Sequence, residues 1–359
     1  MSEQMLGEQA ASFEENDTQQ PIPPAEIVAY NELRSCADLF RMHSSGKLEI
    51  QPDFQREVVW RQNDQSRFID SLVKQLPIPS MCFSLDYKTQ KWKVIDGLQR
   101  MSTIVKFLST AEWQLSDLTD IHPDLRLAKN SDLRDGNEMQ KRLYALVEDV
   151  SIPITVIRCD YSKESHMRYL FTIFHRLNSG GVRLTNQEIR NCIYTGSFND
   201  LLKKFDKDSA DWKLVKKRIW GSMDRFRSVE VLLRALAFGE RLDRYDGNLA
   251  RFLNDFMHAH VNLDEESQRR LIDDLSEVSR VAKIVLASVS RKLPLASVEA
   301  LLVALYVNRL NLENITDDDA IGKFKDMLDM PAFTQTARYA VSSVENVKSR
   351  MNSAIEAFA

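Results

Sequence analysis

Five consecutive residues, Asp96-Gly97-Leu98-Gln99-Arg100, set a carboxylate, a flexible turn, an amide and a guanidinium where the apolar run Val94-Ile95 gives way to a helical pattern. Asp96 and Gln99 have the Asp-x-x-Gln spacing of a capping box, in which the carboxylate accepts from the amide three residues on and the glutamine reaches back. Gly97 relieves the tight turn. Capping leaves Arg100 unexplained, because a helix N-terminus already carries partial positive charge and disfavours a cation unless an anion offsets it. Arg100 is either a snorkelling side chain paired with some carboxylate or, with the amides of the first turn, part of a phosphate site.

Two further segments crowd polar donors around turns. In Phe54-Gln55-Arg56-Glu57-Val58-Val59-Trp60 a Gln-Arg pair follows a short strand pattern and precedes an aromatic. A local role there is Arg56 stacked on Trp60. In Phe174 to Asn191, Asn178-Ser179-Gly180-Gly181 stops one helix and Thr185-x-x-Glu188 has capping-box spacing for the next. Arg176, Asn178, Arg183, Arg190 and Asn191 exceed what capping requires.

The elements that must carry these groups follow from periodicity. Residues 1–24 are polar and acidic, end in QQPIPP, and read as a disordered tail. Structure is expected to begin with the helical pattern of Leu33, Leu39 and Phe40. Strands are expected at 48–51, 81–85 and 92–95, the last two joined as a hairpin. The Pro-containing run 152–157 suits an edge position or a strand start. Helices are expected with an Asn63-Asp64 cap, from Leu98, within a polar insertion at 109–150, and over 163–177. Beyond residue 200 only helical patterns recur, at 228–242, 248–260, 265–291, 295–310, 316–329 and 335–357. The chain therefore divides into a mixed α/β domain (25–200) and an all-α domain (201–359).

The formal charge of −4 misleads: residues 1–24 hold five acids and no base, so residues 25–359 carry +1. Locally, residues 203–227 hold nine Lys or Arg against four acids, with Trp212 and Trp220 between them. Lys213, Lys216, Lys217 and Arg218 could follow a nucleic-acid backbone; the alternative is a solvated helix whose tryptophans join the core. The four cysteines form no C-x-x-C pair and suit small buried hydrophobes. No export signal is visible, and the longest uninterrupted apolar run, Ala300 to Val307, is too short to span a bilayer, which points to the cytoplasm.

The ordered segments FQREVVW, PIPS, VIDGLQR and FHRLNSGGVRLTNQEIRN, over roughly residues 30–240, resemble the N-terminal domain family of GmrSD-type restriction endonucleases, whose hallmark is D-G-Q-Q-R. Leu98 stands where that family usually has its first Gln. The resemblance implies a ParB/sulfiredoxin-like fold and an NTP-binding, NTP-hydrolysing domain of a bacterial DNA-defence system, working with Mg2+. Asp96, Gly97, Gln99 and Arg100 would form its main nucleotide loop, Gln55 and Arg56 would face the same site, and Asn178, Gly180 and Gly181 would close it. By residue type, Arg100 and Arg56 would stabilise phosphate charge, Asp96 would orient water or a metal ion, and Gln99 would position the attacking water. The six histidines supply no HNH-like cluster, so cleavage would fall to a separate HNH-type nuclease. The alternative is a non-hydrolysing ParB-like DNA-binding or adaptor module; homo-oligomerisation is left open.

Overall fold

A computed structural model describes residues 24–50, 60–177, 184–221, 226–334 and 343–359. It divides into two compact units, Ile22–Leu184 and a second holding Thr185–Ala359. The first is mixed α/β and the second is all helical, the expected fold class.

The first unit is built on β1 (Val28–Ser35), β2 (Leu48–Glu49), β3 (Met81–Asp86), β4 (Trp92–Asp96) and β5 (Ser151–Cys159), in the spatial order β1-β5-β3-β4-β2. β1 pairs antiparallel with β5, β5 parallel with β3, β3 antiparallel with β4, and β4 parallel with β2. All six residues of β3 are buried, as a central strand requires. Helices α1 (Cys36–Ser44), α2 (Gln62–Val73), α3 (Leu98–Leu108) and α5 (Glu138–Asp149), with the short α4 (Asn130–Asp135) between the last two, pack around Ile152, Ile154 and Val156 of β5. Ile95 and Ile157 are buried outside that cluster, and α6 (Glu164–Leu177) packs against β4.

One sequence expectation fails here, and of the two alternatives for Pro153 the edge position fails while the strand start holds. Residues 28–35 form a strand rather than a helix, and Leu33 is 71% exposed. The helix starts only at Cys36, where Ser35 Oγ accepts from Asp38 N at 3.1 Å. Because β1 supplies the sheet edge, β5 is an inner strand despite Pro153. Pairing with β3 begins at Ile154, so Pro153 lies before the stretch that needs donors on both sides. A smaller difference is at α2, whose first residue is Gln62 and which no side chain caps.

The second unit opens with α7 (Asn186–Ile193), and here the expected capping box forms: Glu188 N donates to Thr185 Oγ1 at 3.2 Å and Thr185 N to Glu188 Oε2 at 2.5 Å. Next come α8 (Ser197–Asp208), α9 (Ala210–Trp220), α10 (Arg227–Arg241), α11 (Leu249–Ala259), α12 (Glu265–Ala287), α13 (Leu295–Val307), α14 (Asp317–Asp329) and, after a single turn at Pro331–Thr334, α15 (Val344–Phe358). α13 contains the longest apolar run and is buried from Ser297 to Tyr306, so it is the core helix around which α10, α12 and α15 pack. A Cβ at Gly239 of α10 would lie 2.6 Å from Tyr306 Cδ1. No helix among the described residues is long and apolar enough to cross a membrane.

Candidate functional site

The start of α3 is shaped by Gly97. Its φ of +94° is a left-handed conformation that L side chains avoid, and a Cβ there would lie 2.5 Å from Met81 Cγ. Helical bonding begins with Met101 N donating to Gly97 O at 2.8 Å. Because Gly97 takes the capping position, Asp96 remains the last residue of β4, and no side chain caps the helix. The expected Asp96/Gln99 capping box is therefore not formed.

Both of its members have other partners. Asp96 Oδ2 accepts from Arg100 Nη2 at 3.0 Å, and Gln99 Oε1 accepts from the backbone N–H of Trp60 at 3.2 Å. Gln99 thus ties the residue that ends the FQREVVW segment to the first turn of α3, while Trp60 sets its ring edge-on against Phe68 at 5.4 Å.

Arg100 is held on two sides. Nη1 donates to Pro79 O, and Nη1 and Nη2 both reach Ser80 O at 3.4 Å, so the PIPS turn cradles the guanidinium opposite Asp96. The Arg100 side chain is 14% exposed and that of Asp96 37%. Burial disfavours the charged guanidinium and lowers its pKa, with Asp96 opposing that shift. The arrangement presents a mostly desolvated, pre-positioned cation whose carboxylate partner among the described residues, Asp96, is partly exposed.

Of the other expected site residues, Gln55, Arg56, Asn178, Gly180 and Gly181 lie outside the described residues. Arg190 and Asn191 are buried inside the helical unit. Arg190 donates to Asn254 Oδ1 (2.9 Å), Gln187 Oε1 (3.1 Å) and Glu230 Oε2 (3.2 Å). Arg234 continues the chain to Glu230 Oε1 and Glu299 Oε1, both at 2.5 Å. This network escaped sequence reading; the spacing of Glu230 and Arg234, four apart on one helix, was its signal.

The basic segment divides as well. Trp212 is fully buried and donates from Nε1 to Asp206 Oδ1 at 2.8 Å, and Lys216 bonds the same carboxylate at 2.8 Å. Arg218 turns back onto backbone carbonyls, while Lys213 and Lys217 are exposed. Among the described residues no group of three or more His, Cys, Asp or Glu could hold a metal ion. All four cysteines are buried and none is in a disulfide, and burial pushes the Cys36, Cys82 and Cys159 thiols up to about 12.

Against known families, residues 36–195 match the model described as the GmrSD restriction endonuclease, N-terminal domain. Over this segment, 160 of the chain's 359 residues, the protein is similar to that family. The match starts at the first residue of α1 and ends just past α7, so it contains Asp96 to Arg100, the PIPS turn and the Thr185/Glu188 capping box. The helices beyond Thr195 lie outside it. No curated protein and no solved structure matches the chain.

Proposed function

We propose that this chain is the nucleotide-handling component of a restriction-type DNA-defence system, binding an NTP with Mg2+ at the start of α3, hydrolysing it, and acting with a separate HNH-type nuclease. The family match to a restriction endonuclease domain supports the setting. The observation that carries the chemistry is Arg100, a desolvated cation fixed by Pro79 and Ser80 at a helix start that no side chain caps.

In this reading the Asp96–Arg100 pair is the resting form of the site. A phosphate group takes the place of the carboxylate at Nη2, where a charge-assisted bond to a desolvated guanidinium is strong. Charge building on the transferred phosphoryl oxygens is then met by a donor already in position. Asp96, partly exposed and released from Arg100, would be the residue to hold Mg2+, which when bound would supply charge neutralisation. Gln99 holds Trp60 beside the same helix start. Positioning of the attacking water is assigned to Gln99.

The test is phosphate release from each of the four NTPs, with and without duplex DNA, for wild type and Arg100→Ala. Loss of the guanidinium should cut turnover on the order of 10²–10³-fold; equal turnover would sink the reading. One observation favours a second reading, a non-hydrolysing adaptor: Arg100 and Gln99 both have partners within the fold. Under it, no NTP is bound and Arg100→Ala changes only stability.

A further inference from the structure

Many cations of the helical unit sit on carboxylates. Lys203 pairs with Asp200 (2.9 Å), Lys216 with Asp206 (2.8 Å), Lys283 with Asp211 (2.7 Å), Arg280 with Glu277 (2.9 Å) and Arg309 with Asp274 (2.7 Å). One group differs. Arg218 donates from Nε to Leu286 O at 3.3 Å and from Nη2 to Val289 O and Arg291 O, the latter at 3.3 Å. Its guanidinium thus caps the C-terminal end of α12, where a cation is favoured. The same contacts fix the end of α9 against the loop carrying Arg291 and Lys292, and these two line one small cavity with Arg218.

Lys213, Lys217, Arg291 and Lys292 are all exposed, and none of them, nor Arg218, has a carboxylate partner among the described residues. Lys213 and Lys217, four residues apart, share one face of α9, about 6 Å apart along its axis. Two acids of the neighbouring turns, Asp206 and Asp211, are taken by Lys216 and Lys283. Five positive charges on two elements, with no acid among them, form a local field that paired surface ions do not create.

We infer that Lys213, Lys217, Arg218, Arg291 and Lys292 form a docking face for the sugar–phosphate backbone of duplex DNA. Duplex is favoured over single strand because Trp212 is wholly buried and Trp220, at the end of α9, is mostly buried, so the helix offers bases no open stacking surface. The face reads no sequence, since backbone contacts position without specifying. Lys216 is excluded, as Asp206 holds it.

The experiment measures affinity of the full chain for a short duplex of arbitrary sequence against salt concentration. If all five cations contact phosphates, log K should fall with log salt at a slope of about −4.5. In the variant Lys213→Gln, Lys217→Gln, Arg291→Gln and Lys292→Gln, which spares the helix-capping Arg218, the slope should shrink to about −1. The control Arg269→Gln with Arg270→Gln removes two exposed cations that pair with Glu265 and Glu266 and should leave the slope unchanged. The inference is overturned by failure of wild type to bind duplex at low salt, by an unchanged slope in the fourfold variant, by an equal loss in the control, or by preference for an anionic vesicle over DNA. Phosphate release is a separate readout, so this face and the nucleotide site can fail independently.

Discussion

Two arginine clusters in this protein use the same side chain for opposite ends. In the helical unit Arg190 and Arg234 are enclosed with Glu230 and Glu299, each guanidinium reaching carboxylates or side-chain amides from other helices. In the α/β unit Arg100 spends most of its donors on the carbonyls of Pro79 and Ser80 and has one partly exposed carboxylate. Carbonyls fix a guanidinium without neutralising it. Carboxylates neutralise it, and inside a core they leave no exchangeable place for an outside anion. The first cluster is built to stay closed and the second to exchange a partner.

The sharpest test of that contrast is to delete the guanidinium on each side. Arg234→Ala removes the arginine that Glu299 bonds and leaves Glu230 with Arg190 alone, and removing one partner of a buried pair costs about 3–5 kcal/mol. We expect urea unfolding of that variant to shift by about 3 kcal/mol, because the Arg234 side chain keeps 19% exposure. Arg100→Ala should cost no more than about 1–2 kcal/mol, the worth of its bonds to carbonyls and a partly exposed carboxylate. Equal destabilisation by the two changes would erase the distinction.

A backbone test at the α3 start comes next in size. Gly97→Ala must accept a left-handed φ and a Cβ 2.5 Å from Met81 Cγ, for a cost of roughly 2 kcal/mol. At Gly322 in α14 a Cβ would meet nothing within 4 Å, so Gly322→Ala should instead stabilise by about 0.5–1 kcal/mol. Adding Met81→Ala should recover the clash part of the Gly97→Ala loss but not the φ part.

The buried cluster also predicts a pH signature. Burial raises the Glu230 carboxyl, but Arg234 and Arg190 outweigh it and hold its pKa below the ordinary range. A depressed folded pKa means that this stabilisation is present above the unfolded value near 4.3 and is lost as pH falls further towards the folded value. The stability gap between wild type and Glu230→Gln should therefore be full at pH 7 and narrow below about pH 4. A gap independent of pH in denaturant titrations would show that Glu230 is not held ionised by its arginines.

Much of this was legible from the sequence where one residue's neighbours decide its place. The β3–β4 hairpin, α3, α6 and the helices from α10 to α14 follow their apolar periods. The Thr185/Glu188 box forms because its hydroxyl and carboxylate need only each other's backbone. The Asp96/Gln99 box has equal spacing but fails because Gly97, against Met81, takes the capping position and leaves Asp96 in the strand. β1 was hidden because its side chains are mostly exposed and only pairing with β5 makes it a strand. The arginine clusters were half visible: Asp96 to Arg100 and Glu230 to Arg234 are four apart in sequence. The carbonyls of Pro79 and Ser80, and Glu299 from another helix, are long-range partners that no local pattern announces.

The smallest expected effect concerns how the α3 start is connected. Gln99→Ala removes one acceptor for Trp60 N–H, a loss of about 1 kcal/mol, and leaves the Asp96–Arg100 pair untouched. Gln99→Glu keeps an acceptor in the same place and adds a carboxylate one residue from Arg100. If the Gln99 bond to Trp60 matters only for folding, Gln99→Glu should behave as wild type in both stability and phosphate release. If the bond holds a working segment beside Arg100, Gln99→Ala should lower turnover by more than its stability loss allows. Gln99→Glu should then keep the fold but weaken nucleotide binding, since the new charge competes with phosphate for the guanidinium. Measuring both variants for unfolding and for turnover separates an anchored site from a merely well-packed turn.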